Sequence, residues 1–149
     1  MDGFYASAAS QLDMLTFLRE VFVQTADEFV HEPEPLHRFL IRGALAYGPV
    51  IHGTQVAANA SNMFQNNVGH KDAILLGLPM VQAHEYERQA PPFGLFVHES
   101  SRSFAPPNIQ PLHHVWWKWV NAQNANLWQQ LRPALQAHYQ WCRENALST

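Results

Sequence analysis

Charge and cysteine are both scarce in this sequence. Charged residues make up 14% of the 149 positions, and the formal net charge is −3. The nine Lys and Arg residues do not cluster, so the chain offers no electrostatic basis for general nucleic-acid or anionic-membrane binding. The single cysteine, Cys142, excludes an intrachain disulfide framework and favours a reducing compartment. We therefore expect partners other than nucleic acid or membrane.

Long apolar runs and a leader-like start are also missing. No apolar stretch approaches the length that spans a bilayer, and residues 1–10 lack the basic start and apolar core of a signal peptide. Cytoplasm is therefore the predicted location. Hydrophobic residues reach 47%, which is typical of a folded chain. We expect residues 1–149 to form one domain with a real core.

Helical periodicity marks three segments. Ser10 is placed to cap a first helix, whose apolar residues recur through Val30 and which should end at Pro33, because proline cannot continue a helix. Pro79 suits the first turn of a second helix that runs to about Gln89. A C-terminal helix should begin near Asn126.

Short apolar and β-branched runs lie between these helices. We predict strands in the segments 3–8, 39–52 (as two strands or one bent strand), 73–76, 94–98 and 114–120, with a loop over 54–71. Short strands separated by helices predict an α+β fold with the helices packed on one face of a sheet.

Histidine and tryptophan are the residue types most open to a functional interpretation. The nine histidines lack metal-ligand spacing, and the adjacent His113 and His114 would point to opposite faces of a strand. A zinc site is therefore not expected. Trp116, Trp117 and Trp119 could stack a nucleobase, pack the core or meet a second subunit.

Three ordered motifs resemble a known family. The first motif contains Arg42, Gly48 and Gly53. The second contains Gly77, Ala83 and Glu87, and the third is Asp2 directly before the opening apolar segment. Together they resemble the class III nucleotide cyclases, in a divergent bacterial branch that includes relatives of anti-phage cyclic-pyrimidine synthases. The resemblance runs from residue 2 to about residue 100. It implies a ferredoxin-like cyclase-type sheet with helices on one face, plus a C-terminal helix.

The resemblance also implies an activity. In such enzymes the 3′-hydroxyl of a nucleoside triphosphate attacks the α-phosphate, pyrophosphate leaves, and Mg²⁺ or Mn²⁺ assists at a site between two subunits. Carried over by motif, Asp2 would be a metal ligand, and Arg42, Gly43 and Gly77 would contact the nucleotide. No catalytic residue is assigned. A homodimer is the implied assembly, and a role in antiviral defence would follow from the branch.

The chain departs from the family pattern in two respects. The strand that carries the family's first metal aspartate has no counterpart, so the domain resembles one truncated at its N-terminus. Val81 and Glu85 stand where the family helix carries Asn and Arg. Two hypotheses follow: a cyclase that needs the missing strand, or a catalytically inactive module that dimerises or binds nucleotide.

Overall fold

The fold is mixed α+β, as seen in a computed structural model that describes residues 3–57 and 74–146. Its helices are α1 (Gln11–His31), α2 (Gly53–Ala57), α3 (Leu78–Glu87), α4 (Glu99–Ser103) and α5 (Ala125–Ala146). Its strands are β1 (Gly43–Leu45), β2 (Ile51–His52), β3 (Leu75–Leu76), β4 (Leu95–Val97) and β5 (Trp116–Trp117). Single 3₁₀ turns occupy Pro35–His37 and Ala122–Asn124.

The described strands form two small sheets. In the larger sheet the order is β1-β4-β5, with β1 parallel to β4 and β5 antiparallel to β4. The smaller sheet is the antiparallel pair β2 and β3. The connection from β1 to its parallel neighbour passes through α3, as parallel strands require a crossover.

Helix α1 follows the sequence prediction at both ends. The Ser10 side chain accepts a hydrogen bond from the Asp13 N–H at 3.3 Å, which satisfies one of the free donors of the first turn. The helix ends at His31, and Glu32 forms its C-cap directly before Pro33. The predicted cap and stop are confirmed.

The core lies between α1, α5 and the larger sheet. Its buried members are Phe22, Ala26 and Phe29 of α1, Leu131 of α5, and Phe93, Leu95 and Trp119 of the sheet region. The Trp119 indole N–H donates to the Phe93 carbonyl at 2.8 Å, so this large ring is buried with its polar atom satisfied. This cluster joins the two long helices to the central strand.

The helices cover both faces of the sheet, which corrects the expectation of helices on one face. Leu95 belongs to the cluster with α1 and α5, whereas the neighbouring Phe96 ring lies 5.0 Å from the Tyr86 ring of α3. Adjacent strand residues point to opposite faces, so α3 lies on the side opposite α1 and α5. The hydrophobic run of β4 is buried on both faces, as is usual for a central parallel strand.

Two predicted strands differ from the observed structure. Residues 3–8 have no regular secondary structure and form no ladder with any described strand. The segment 39–52 does contain two strands, but β1 and β2 belong to separate sheets. Pro49 lies between them and has no N–H to donate to a ladder. The ferredoxin-like arrangement implied by the family resemblance would have needed these pieces side by side.

The remaining predicted elements agree in part. Strands are found within 73–76 and 94–98, and the second and C-terminal helices begin within a residue of their predicted starts. The aromatic strand is limited to Trp116–Trp117. Residues 53–57 are helical where a loop was predicted, and 58–71 lie outside the described residues. In the described ranges, no helix combines the length and apolarity needed to cross a membrane.

Candidate functional site

A large cleft opens beside β1. Its volume is about 1070 Å³, at the upper end of the range for small-molecule sites. One wall is the segment 3–10, which we call the strap, and a second wall is the inner face of α1. Helix α3, β1 with its flanking residues, and a stretch from Leu95 to Leu112 also contribute to the lining. The cleft therefore collects residues from five parts of the chain.

The edge of β1 that faces away from β4 is free among the described residues. Gly43 N–H donates to the Gly94 carbonyl and Leu45 accepts from the His98 N–H, so these two residues direct their peptide groups at the β4 segment. Alternate residues of a strand direct these groups the other way. The N–H and C=O groups of Arg42, Ala44 and Ala46 therefore point away from β4, and these residues line the cleft.

The strap is tied to the domain by side chains. The Tyr5 hydroxyl lies 3.1 Å from Nδ1 of His84 on α3, and the Ser7 hydroxyl lies 3.3 Å from Nε2 of His52 on β2. The Phe4 ring makes an edge-on contact with Phe17 of α1. Residues 3–9 form no backbone–backbone hydrogen bond within the described part of the chain. The strap is thus held at a few points.

The charged groups of the cleft lining are few and mostly acidic. Arg42 is the one permanent cation among the described lining residues, and Glu28 and Glu87 are the carboxylates. His52 and His84 add two imidazole side chains to the lining. An unscreened polyphosphate would meet net negative charge here, whereas a single phosphate could pair with Arg42.

The sequence-derived nucleotide contacts are only partly brought together. Arg42 and Gly43 line the cleft, and Gly77 does not. Gly77 is the N-cap of α3, where a Cβ atom would lie 2.5 Å from the Pro49 carbonyl oxygen, so close packing accounts for this glycine. Asp2, the implied metal ligand, lies outside the described residues.

Residues from two of the family-like motifs meet at the cleft. Arg42 and Gly48 of the first motif line it together with Ala83 and Glu87 of the second. These motifs are separated by a long stretch of chain. Their meeting at a single cavity is what a shared ligand site would require.

A divalent-ion site is not assembled by the described residues. In 3–57 and 74–146, no three His, Cys, Asp or Glu side chains are grouped closely enough to hold a metal. The two cleft carboxylates alone do not match the ligand set that Mg²⁺ or Mn²⁺ prefers. The implied metal therefore does not fit this part of the chain, and we derive no chemical step through it.

Sequence reasoning missed four side chains of the cleft region. Tyr5 and His84 are 79 positions apart, and Ser7 and His52 are 45 apart. No local spacing links such residues, so no motif could have paired them. Their residue types alone were weak evidence for a site, since hydroxyl and imidazole groups are also common on surfaces without any function.

Comparisons with known proteins add no relative. No family model, curated protein or solved structure matches this chain.

Proposed function

We propose that this chain is a nucleotide-binding module of the cyclase type, with the nucleotide in the cleft beside β1. The supporting observation is that Arg42, Gly48, Ala83 and Glu87, drawn from two family-like motifs, line one cavity. A cavity of about 1070 Å³ has room for a nucleoside triphosphate. The proposal takes the binding hypothesis ahead of the catalytic one, because the described residues assemble no metal site.

The cleft offers separate surroundings for the two ends of a nucleotide. Tyr5 and His84 supply aromatic rings on which a base could stack, and Tyr5 is 46% exposed. Arg42 supplies a planar cation for one phosphate. Glu28 and Glu87 oppose additional negative charge, so a triphosphate would bind best with its charge screened by Mg²⁺ or Mn²⁺.

Thermal unfolding with nucleotides tests the proposal. A nucleotide present at ten times its dissociation constant stabilises the folded chain by about 1.4 kcal/mol, which raises Tm by about 3 to 6 °C for a domain of this size. We would measure Tm with each of the four nucleoside triphosphates, with and without Mn²⁺. Arg42→Ala should weaken binding, whereas Arg132→Ala, at an exposed position of α5, should leave it unchanged. No shift with any nucleotide up to millimolar concentration would refute the proposal.

Cyclisation is the second candidate function, favoured by the same meeting of motif residues. It would convert a nucleoside triphosphate to a cyclic mononucleotide with release of one pyrophosphate. The assay is incubation with labelled triphosphates and Mn²⁺ or Mg²⁺, followed by chromatography. Equal amounts of cyclic product and pyrophosphate would establish turnover. Nucleotide binding without either product would leave the module hypothesis alone.

A homodimer is part of the same proposal. Trp116 in the edge strand β5 is 44% exposed, and Trp128 at the start of α5 is 46% exposed. Exposed tryptophans at an edge are typical of surfaces that bury against a partner. Sedimentation equilibrium should give twice the 17.0 kDa chain mass, and Trp116→Ala should lower that mass. A monomer at all concentrations would refute the dimer.

A further inference from the structure

The strap and the free edge of β1 border the same cleft without touching through their backbones. The backbone groups of Ala44 and its neighbours Arg42 and Ala46 face the cleft, and no hydrogen bond to them is found among the described residues. The strap likewise makes no backbone–backbone bond there. Two stretches of backbone that have no hydrogen-bond partner among the described residues thus line one cavity.

We propose that residues 4–8 of the strap dock on the free edge of β1 as an additional strand and so close the cleft. The structure described above is then the open form, and the closed form excludes ligand. The identity of that ligand as a nucleotide rests on the proposed function, but the movement does not.

The chemistry of the strap suits this role. Phe4 and Tyr5 favour the extended conformation, and residues 3–10 contain no proline that would interrupt a ladder. Five residues in a strand span about 17 Å, which matches the five residues from Arg42 to Ala46. Pairing would give both stretches the backbone partners that they do not find within 3–57 and 74–146 in the open form.

The attachments of the strap oppose docking. In the docked form the hydrogen bonds between Tyr5 and His84 and between Ser7 and His52 would be given up. Both bonds are exposed, and at 3.1 and 3.3 Å they are longer than the usual hydrogen bond of a hydroxyl group. Few side-chain contacts and no ladder are the features of a segment that moves at low free-energy cost. The two bonds act as latches for the open form.

Amide hydrogen exchange at Ala44 tests the proposal without any ligand. The Ala44 N–H has no described partner in the open form and would be bonded in the closed form. Removing both latches with Tyr5→Phe and Ser7→Ala should favour docking and slow this exchange by about threefold or more. Two further variants add Ala6→Pro, or replace Ser7→Ala by Ser7→Pro. One of them should restore the parent rate, because alternate N–H groups of a docked strand face β1 and a proline at a facing position removes a donor. Ala9→Pro places the same ring outside that segment and should not restore it.

The outcomes separate the alternatives. If the latch variant exchanges Ala44 at the parent rate or faster, the strap does not dock and the proposal is wrong. If exchange slows but neither Ala6→Pro nor Ser7→Pro reverses it, the added protection comes from elsewhere and the proposal is again wrong. Should nucleotide bind the parent, the latch variant should bind it more weakly by the same factor as its slowed exchange. If the parent binds no nucleotide, the proposed function is wrong, but the exchange measurement still decides whether the strap docks.

Discussion

His138 is a histidine enclosed by aromatic rings on α5, and it is only 7% exposed. Phe29 packs edge-on at 5.4 Å, Trp141 stacks at 6.2 Å, and the Cys142 sulfur lies 3.5 Å from Nε2. Burial lowers the pKa of His138 below its ordinary value of 6.5, and the nearby Arg38 cation lowers this pKa further. The imidazole is therefore neutral in the folded chain at neutral pH.

The lowered pKa predicts a loss of stability in acid. The unfolded chain binds a proton at His138 more readily than the folded chain does. The contribution of neutral His138 to the free energy of unfolding is therefore complete above pH 6.5, and it is lost as the pH falls from there through the folded pKa. We expect the free energy of unfolding, measured in urea, to fall more steeply between pH 8 and pH 5 for the parent than for His138→Leu. His113→Leu, at an exposed site, should retain the parent slope. Parallel parent and His138→Leu curves would contradict this.

Gly43 is the residue of β1 with the least room for a side chain. A Cβ atom there would lie 2.9 Å from Cδ1 of Leu95, whose side chain is fully buried and has little room to move. Gly43→Ala should therefore reduce the free energy of unfolding by about 1 to 3 kcal/mol. Gly3→Ala meets no atom within 4 Å and should change it by less than about 0.5 kcal/mol.

A double variant checks the cause of this loss. In a Leu95→Val background the clashing atom is gone, so Gly43→Ala should cost less than it does in the parent. Denaturant midpoints of the four chains give the coupling directly. An additive result would mean that the strain lies elsewhere than in this contact.

At the scale of elements, sequence prediction succeeded where an element depends on nearby residues and failed where it depends on residues far away in the chain. The ends of α1 were predicted correctly because its cap and its stop lie within a few positions of the helix. The partner of β1 is β4, with two other strands between them in the chain, and no local pattern specifies that choice. Residues 3–8 have strand-forming composition but no described partner, so composition alone was misleading. Helix α4 was missed because it is short and is capped by His98, an unusual cap.

Helix α1 gives the prediction at this scale. Loss of the Ser10 cap should destabilise the chain by about 1 kcal/mol, because the Asp13 N–H then lacks its side-chain acceptor. Ser10→Ala should show this loss in thermal unfolding. Ser10→Asp retains an acceptor and adds a favourable charge at the helix N-terminus, so it should match or exceed the parent. Equal stability of the Ala and Asp variants would argue against capping as the cause.

At the scale of the whole molecule, the two sheets differ in their protection. Strand β4 has neighbours on both sides and three buried side chains, whereas the two residues of β2 are exposed and, among the described strands, pair only with β3. Amides of β4 should therefore exchange with solvent only on global unfolding, while those of β2 and β3 exchange through local opening. Native-state exchange in low denaturant would show this. If the amides of all three strands exchanged with the same opening free energy, this prediction would be wrong.

The candidate site was partly predictable at this same scale. Arg42 and Gly43, which the motif resemblance singled out, line the cleft, and their contact with a nucleotide stays a prediction. The resemblance also singled out Gly77, which packs against Pro49 instead. The strap and its histidine partners depend on tertiary contacts across the chain. Contacts between residues so far apart in the chain cannot be predicted from the spacing of residues in the sequence.

The free edge of β1 has a practical consequence in concentrated solution. Within Gly43–Leu45 no proline and no charged side chain protects the edge, and the charged residue next to it is Arg42, directly before the strand. Two molecules could therefore join edge to edge and begin a precipitate. A compound lodged in the cleft would shield that edge, so it should act as a solubiliser during purification as well as a ligand.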